Sequence, residues 1–216
     1  MSKHSLHVAV IQGNAKKVAE LLQKGVSPDL VWKGSYTPLH LAADENRTDV
    51  TNLLIGAGAN IHAKSKDFGE TALHIAAYRG ATEIVAMLLA HGAKVTQVDG
   101  RKRTPLHYAA SGYEGTLTAA ETLLRAGAKI DAKDEDRESP LGLAALSQNL
   151  GVVYLLVKAG ASLKHMNIYG QAPVDIARIQ LQAYVTKSGY VPPKFKVNAS
   201  IVRDIIRLTS RHKRFR

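Results

Sequence analysis

Short apolar stretches recur along this chain at a nearly constant interval. Leu or Val occupies positions 6, 39, 73, 106, 141 and 174, which lie 33, 34, 33, 35 and 33 residues apart. A second series keeps the same interval, because the glycines at positions 25, 58, 92, 127 and 160 are 33, 34, 35 and 33 residues apart. Two independent series that share one period predict a stack of repeated structural units.

Each unit is predicted to contain two short helices. The first helix follows a Thr or Ser that precedes Pro or Ala, which is the pattern of an N-cap before a first-turn residue. The second helix is clearest at 83–89, where Ile84, Val85, Leu88 and Leu89 share one face. It ends at Gly92, a residue suited to a left-handed C-terminal position. About a dozen residues rich in turn formers separate each such glycine from the next unit and predict projecting hairpin loops.

One four-residue phrase carries a family resemblance. It reads Thr-Pro-Leu-His at 37–40 and 104–107 and Thr-Ala-Leu-His at 71–74, with weaker copies at 5–7, 139–142 and 172–175. Over roughly residues 4–177 the chain resembles the ankyrin-repeat family. The resemblance implies an all-α solenoid of stacked helix-turn-helix units with projecting β-hairpin loops. It also implies a histidine at positions 40, 74 and 107 that forms hydrogen bonds between neighbouring units.

The period divides the chain into seven segments. They are an N-terminal repeat and cap at 1–36, repeats at 37–70, 71–103, 104–138 and 139–171, an atypical sixth repeat that forms a C-terminal cap at 172–208, and a basic tail at 209–216. Two extra residues separate the helices of the fourth unit, near Gly112. Arg137 stands where the family usually has a hairpin glycine, which predicts an altered turn there.

Composition and charge narrow the function. Hydrophobic residues make up 45% of the 216 and charged residues 22%, which is typical of a globular chain. The absence of cysteine excludes disulfides, thiolate nucleophiles and cysteine-ligated zinc. The net charge is +11, of which residues 178–216 contribute +9 through ten basic residues and one acid. The remaining 177 residues carry only +2, so the basic character belongs to the C-terminal segment.

No pattern indicates catalysis, a cofactor or a metal. The chain lacks the phosphate-binding, serine-hydrolase and zinc-protease signatures. The histidines at 40, 74 and 107 recur once per repeat, about 10 Å apart, which is too far for shared coordination. We interpret His4 and His7 as incidental residues of the N-terminal cap. The acidic run at 131–138 is interpreted as a solvated hairpin tip that a basic partner could also meet.

The resemblance implies a concave face, lined by hairpin tips and the exposed ends of first helices, that binds proteins. Aromatic and arginine side chains dominate binding energy in such interfaces. The candidate protein-binding residues are Trp32, Lys33, Tyr36, Asp44, Glu45, Phe68, Glu70, Tyr78, Arg79, Arg101, Arg103, Ser111, Tyr113, Glu135, Glu138, Tyr169 and Gln171. The alternative for the aromatic members is that they pack along the hairpins and against neighbouring repeats.

The sequence therefore predicts a non-catalytic protein-interaction module or adaptor, either a regulator or a bacterial effector acting in a host cell. The alternative is a binder of nucleic acid or anionic membrane through a basic C-terminal patch. The patch comprises Lys194, Lys196, Arg203, Arg207, Arg211, Lys213, Arg214 and Arg216. No secretory signal or membrane-spanning helix is predicted. We expect a cytoplasmic monomer that binds another protein, with nuclear entry or a host cytosol as alternatives.

Overall fold

Ten α-helices form five consecutive pairs in the described part of the chain. The computed structural model describes residues 5–31, 35–112 and 115–173. The helices are α1 Ser5–Ile11, α2 Ala15–Gln23, α3 Pro38–Asp44, α4 Thr48–Gly56, α5 Ala72–Arg79, α6 Thr82–Ala90, α7 Pro105–Ser111, α8 Thr116–Arg125, α9 Pro140–Leu146 and α10 Leu150–Lys158. The C-terminal cap at 174–208 and the basic tail at 209–216 lie outside the described residues.

The helices stack in two layers. The first helices of successive pairs pack on one another, from α1 on α3 through to α7 on α9. The second helices form a parallel layer, from α2 on α4 through to α8 on α10. Each unit thus covers the apolar faces of its neighbours, as a solenoid requires. The predicted all-α solenoid is confirmed.

The core runs through the whole stack along the two apolar series. The five aliphatic residues at the first-helix positions 6, 39, 73, 106 and 141 are each at most 1% exposed. The alanine pairs at 42–43, 76–77, 109–110 and 144–145 are also buried. Because their side chains are small, neighbouring first helices can approach closely. On the second helices, buried Leu at 21, 54, 88, 123 and 156 completes the core.

The recurring glycines end the second helices. The backbone φ at positions 25, 58, 92, 127 and 160 lies between +81° and +92°. Nothing lies within 4 Å of a Cβ added at these positions, so the requirement is for the backbone conformation and not for space. This is the left-handed geometry predicted from the sequence.

The hairpin turn at Arg137 keeps the conformation of its counterparts, so the prediction of an altered turn is wrong. Arg137 has a φ of +55°, and Lys102, at the same place in the preceding hairpin, has +59°. Gly69 and Gly170, at the equivalent positions of two other hairpins, both have +71°. Non-glycine residues adopt this region at a cost of about 1–2 kcal/mol, which the surrounding hydrogen bonds of the hairpin offset.

Candidate protein-binding surface

The hairpins form a continuous hydrogen-bonded ladder along one side of the stack. Each backbone N–H at positions 100, 135 and 168 donates to a carbonyl of the preceding hairpin, at residues 68, 101 and 136, over 2.8–3.0 Å. Each hairpin is also closed internally, as in the Asp99 N–H bond to the Arg103 carbonyl at 3.0 Å. The projecting side of the chain is therefore held in one arrangement.

One side chain organises the backbone of each of three hairpins. Asp99, Asp134 and Asn167 occupy the same position, and the Oδ1 of each accepts N–H bonds from residues two and four places ahead at 2.7–3.0 Å. Asp134 is 4% exposed. The interpretation of the acidic run as a solvated tip is wrong for Asp134, because its carboxylate is spent on the hairpin backbone.

Three histidines join successive repeats. His40, His74 and His107 each accept, at Nδ1, a backbone N–H bond from the Thr three residues earlier, over 3.1–3.2 Å. Their Nε2 atoms lie 3.1–3.2 Å from carbonyl oxygens of residues 70, 103 and 138 in the following hairpin. An Nδ1 that accepts leaves the proton on Nε2, so each ring is a neutral donor to the next repeat.

Burial keeps these rings neutral. It lowers the pKa of His40 and His107, and it lowers that of His74 to about 4. His7 belongs to the same series, since it is buried and its Nε2 bonds to the Leu30 carbonyl. The interpretation of His7 as an incidental surface residue is therefore wrong. The equal spacing of positions 7, 40, 74 and 107 was the signal that identifies it.

In the fifth repeat this link is made differently. Gly142 stands where the other repeats have histidine, and the Glu138 carboxylate fills the space that a side chain there would need. Glu138 accepts a bond from the Asn167 amide at 2.7 Å, and burial raises its pKa. Glu138 is 4% exposed, so the expectation that it projects toward a partner is wrong.

The other candidate binding residues differ in exposure. Phe68 and Tyr169 project most, at 61% and 73% exposed. Those also exposed are Glu45, Arg79, Arg101, Glu135 and Gln171. Those half-buried are Tyr36, Asp44, Glu70, Tyr78, Arg103 and Ser111. Three candidates, Trp32, Lys33 and Tyr113, lie outside the described residues, as does the whole basic patch.

Five of the half-buried and exposed candidates come together around one cleft. It has a volume of about 210 Å³ and is lined by Tyr36, His40, Leu41, Asp44, Glu70, Ile75, Tyr78, Arg79 and Tyr108. The Tyr36 hydroxyl donates to Glu70 Oε2 over 3.2 Å. Arg79 Nε pairs with Asp44 Oδ1 at 2.7 Å. The cleft thus combines aromatic rings with carboxylates on the side that carries the hairpins.

Tyr108 is the cleft residue that sequence reasoning missed. Its hydroxyl lies 2.9 Å from Glu70 Oε1 and 2.8 Å from Asp99 Oδ2, so it connects two hairpins. Its ring meets that of Tyr78 edge-on, with centroids 6.3 Å apart. Leu41 and Ile75 occupy the same place in the two preceding units. A tyrosine directly after the Thr-Pro-Leu-His phrase was therefore a recognisable departure from an aliphatic position.

Burial and the neighbouring carboxylates keep both tyrosine hydroxyls protonated. Burial, followed by Glu70, raises the pKa of Tyr36 to about 12. The same causes raise the pKa of Tyr108. Both phenols are therefore hydrogen-bond donors at neutral pH and hold the carboxylate of Glu70 in place.

Two further ion pairs cross between hairpins. Arg101 pairs with Asp136 at 2.8 Å in an exposed position, and Arg103 pairs with Asp134 at 3.1 Å, where the Asp134 side chain is 1% exposed. Exposed pairs contribute only about 0–1 kcal/mol each. The Arg101 side chain remains accessible, whereas that of Arg103 is committed to the scaffold.

The fold and this surface define a class: a helical repeat scaffold that presents hairpin tips and a cleft. The chain belongs to the ankyrin-repeat family, because the family model described as ankyrin repeats (3 copies) matches residues 2–65 and 53–134. Ankyrin repeats are generally protein–protein interaction modules, and the fold is typically non-enzymatic. Among the residues that the structure describes, no helix is long and apolar enough to cross a membrane.

Curated relatives match within the repeats. Alpha-latrotoxin-Lg1a of Latrodectus geometricus is 31% identical over 116 residues, which is 52% of this chain and 8% of the toxin. Ankyrin repeat and SOCS box protein 5 of Bos taurus is 42% identical over 64 residues, 29% of this chain and 18% of that protein. The 2-5A-dependent ribonuclease of Mus musculus is 38% identical over 66 residues, 29% of this chain and 9% of the ribonuclease. The matches span less than a fifth of each relative.

Proposed function

We propose that this chain is a non-catalytic module that binds one partner protein on the face formed by the hairpin tips and the exposed ends of the first helices. The observation that carries the proposal is the cleft lined by Tyr36, Tyr78 and Tyr108, which lies on a hydrogen-bonded hairpin ladder. A scaffold that is already ordered loses little conformational entropy when it binds, and the interaction energy is then available for affinity.

The projecting aromatics support the same face. Phe68 and Tyr169 are exposed at hairpin tips, where they contribute little to the core. Large aromatic side chains are the residue type that most often anchors protein interfaces. Phe68 belongs to the hairpin that also supplies Glu70, so one partner surface would meet the tip and the cleft together.

The six-unit division, with its cap at 172–208 and its basic tail, is part of this proposal. A chain built in this way suits a cytoplasmic regulator, or a bacterial effector that acts in a host cell. In either case the module would act as a monomer that holds a partner by surface complementarity.

Paired variants on opposite sides of the stack test this function. Phe68→Ala combined with Arg101→Ala removes two exposed side chains from neighbouring hairpin tips. Leu117→Ala combined with Arg125→Ala removes an exposed apolar and an exposed basic side chain from helix α8, in the layer of second helices. A partner isolated with the natural chain is then titrated against each variant by calorimetry.

We expect the hairpin variant to bind at least tenfold more weakly, as loss of one interface anchor of about 2 kcal/mol predicts. The α8 variant should bind within about twofold of the natural chain. Both should melt close to the natural chain. A hairpin variant that binds normally, or a loss of affinity confined to the α8 variant, would contradict the proposal.

A second candidate function rests on the +9 charge of residues 178–216. We propose, as the alternative, that this segment binds nucleic acid or anionic membrane. The natural chain and a chain that ends at Ser210 are compared for binding to a random oligonucleotide and to acidic vesicles. Electrostatic binding should fall steeply as salt is raised and should weaken in the shortened chain. Absence of binding by the natural chain at low salt would exclude it.

A further inference from the structure

We propose that the cleft between Tyr36, Tyr78 and Tyr108 is a receptor for a cationic side chain, arginine or lysine, carried by the partner protein. The inference rests on the proposed protein-binding function and adds the chemistry of the partner residue. Its basis is the arrangement of Glu70, whose carboxylate is fixed at the cleft by phenolic hydroxyls and not by a cation.

Glu70 is oriented from both sides. Its Oε2 accepts from the Tyr36 hydroxyl at 3.2 Å and lies 3.4 Å from the Ser65 hydroxyl, and its Oε1 lies 2.9 Å from the Tyr108 hydroxyl. Each carboxylate oxygen has two acceptor directions. The neutral donors leave the charge of Glu70 uncompensated, so acceptor capacity remains for a further donor.

The carboxylates around Tyr108 are short of protons. Its hydroxyl lies 2.9 Å from Glu70 and 2.8 Å from Asp99, but a phenol carries one proton and can donate to only one of them. Two carboxylates that share one donor repel each other. A cationic group placed against Glu70 would supply the missing donors and offset that repulsion.

The nearby cations of the chain are already engaged. Arg79 pairs with Asp44, and Arg103 pairs with Asp134. Among the described residues, neither Glu70 nor Asp99 takes part in a salt bridge. The charges that act on Tyr36 are the carboxylates of Glu70, Asp44 and Asp67. The cleft therefore favours a positive group and disfavours an anion.

The walls of the cleft suit the same ligand. Tyr36, Tyr78 and Tyr108 line it, and aromatic rings attract a cation within about 6 Å by roughly 0.5–2 kcal/mol. Its volume of about 210 Å³ equals that of roughly seven liquid water molecules. That space holds one long side chain and excludes a helix. No group of three or more His, Asp or Glu suited to a metal ion occurs within the described ranges.

A titration of the full chain with small probes tests the receptor. Backbone amide shifts of Tyr36, Glu70, Tyr78 and Tyr108 are followed by NMR as Nα-acetyl-arginine amide, Nα-acetyl-lysine amide or Nα-acetyl-citrulline amide is added to millimolar levels. Citrulline has nearly the shape of arginine without the charge. We expect progressive shifts with arginine or lysine and none with citrulline, and the stronger of the two cations identifies the partner side chain. Equal shifts with citrulline, or no shifts with either cation, would overturn the proposal.

Two carboxamide variants provide the matched control. Glu70→Gln keeps a hydrogen-bond acceptor for the tyrosine hydroxyls and removes the charge. Asp67→Asn removes an exposed charge from the same hairpin outside the cleft lining. The arginine shifts should fall at least fivefold in Glu70→Gln and stay within twofold in Asp67→Asn. Unchanged shifts in a folded Glu70→Gln would refute the receptor. Should Glu70→Gln fail to fold, Tyr78→Leu takes its place, because loss of this ring should also weaken the shifts.

Partner binding separates this inference from the proposed function. A partner that binds normally to Glu70→Gln, but weakly to the Phe68→Ala and Arg101→Ala variant, would leave the binding face intact and reject the cation receptor. A partner that binds both variants normally would reject the proposed face itself.

Discussion

Glu138 fills the space that a side chain on Gly142 would occupy, and it makes the inter-repeat contact that histidine makes in three earlier units. Its Oε1 accepts from the Ser139 backbone N–H at 3.3 Å, the donor that meets the histidine Nδ1 elsewhere. Its Oε2 reaches the Asn167 amide of the next hairpin at 2.7 Å. The fifth repeat thus preserves the link with a residue from the other side of the helix N-terminus.

Replacing Gly142 with Ala should therefore destabilise the protein. In an open helical site, Gly→Ala stabilises by about 0.5–1 kcal/mol. At Gly142 the new Cβ would overlap the Glu138 carboxylate, and moving that carboxylate breaks its bonds to Ser139 and Asn167. We expect a net loss of about 1–2 kcal/mol in the free energy of unfolding, measured with urea.

Gly151 is the matched control for this change. It lies in α10, and a Cβ there would meet nothing closer than 3.8 Å, so Gly151→Ala should be neutral or stabilising. In a Glu138→Ala background, Gly142→Ala should also become stabilising, because the overlap is gone. Equal effects of Gly142→Ala in both backgrounds would show that Glu138 does not determine the cost.

The histidine links should be expensive to remove. His74→Ala leaves the Thr71 N–H and the Arg103 carbonyl without their partner inside the stack. Each orphaned buried group costs about 1–3 kcal/mol, so we expect a total loss of about 2–5 kcal/mol in thermal or urea unfolding. His91→Ala, at an exposed position after α6, should cost less than about 0.5 kcal/mol. Similar losses for both variants would contradict the proposed role of the link.

Acid should weaken the fold through the same residues. His74 titrates at about 4 in the folded chain and near 6.5 when unfolded, so between these values the unfolded chain binds more protons. Stability should therefore be full above pH 6.5 and fall as the pH drops toward 4, by about 3 kcal/mol for His74 alone. His40 and His107 act in the same direction, and Glu138, whose pKa is raised by burial, opposes them.

A variant that cannot titrate isolates this contribution. His74→Gln should lose less stability than the natural chain between pH 6.5 and pH 4 when both are unfolded with urea. Identical losses would show that the acid sensitivity arises elsewhere, for example among the carboxylates.

The repeat, the two helices per unit and the helix-ending glycines follow from the sequence because each depends on local chemistry that recurs at a fixed period. Glu138 could not be placed in this way. Its role depends on the absence of a side chain at Gly142, four residues away, and on Asn167 in the next hairpin. Tyr108 was likewise missed, because its importance comes from Glu70 and Asp99, which the stacking brings together from two other hairpins.

The hairpins supply the last prediction, since Asn167 already does in one hairpin what Asp134 does in another. Asp134→Asn should retain both backbone acceptor bonds and lose only the charge pairing with Arg103, whose side chain is 27% exposed and can be hydrated. We expect a cost of about 1 kcal/mol in urea unfolding. Asp134→Ala should cost about 2–4 kcal/mol, because the N–H groups of residues 136 and 138 also lose their acceptor. Glu135→Ala, at the exposed neighbouring position, should change stability by less than about 0.5 kcal/mol. Equal losses for the Asn and Ala variants would mean that the ion pair, and not the backbone template, holds this hairpin.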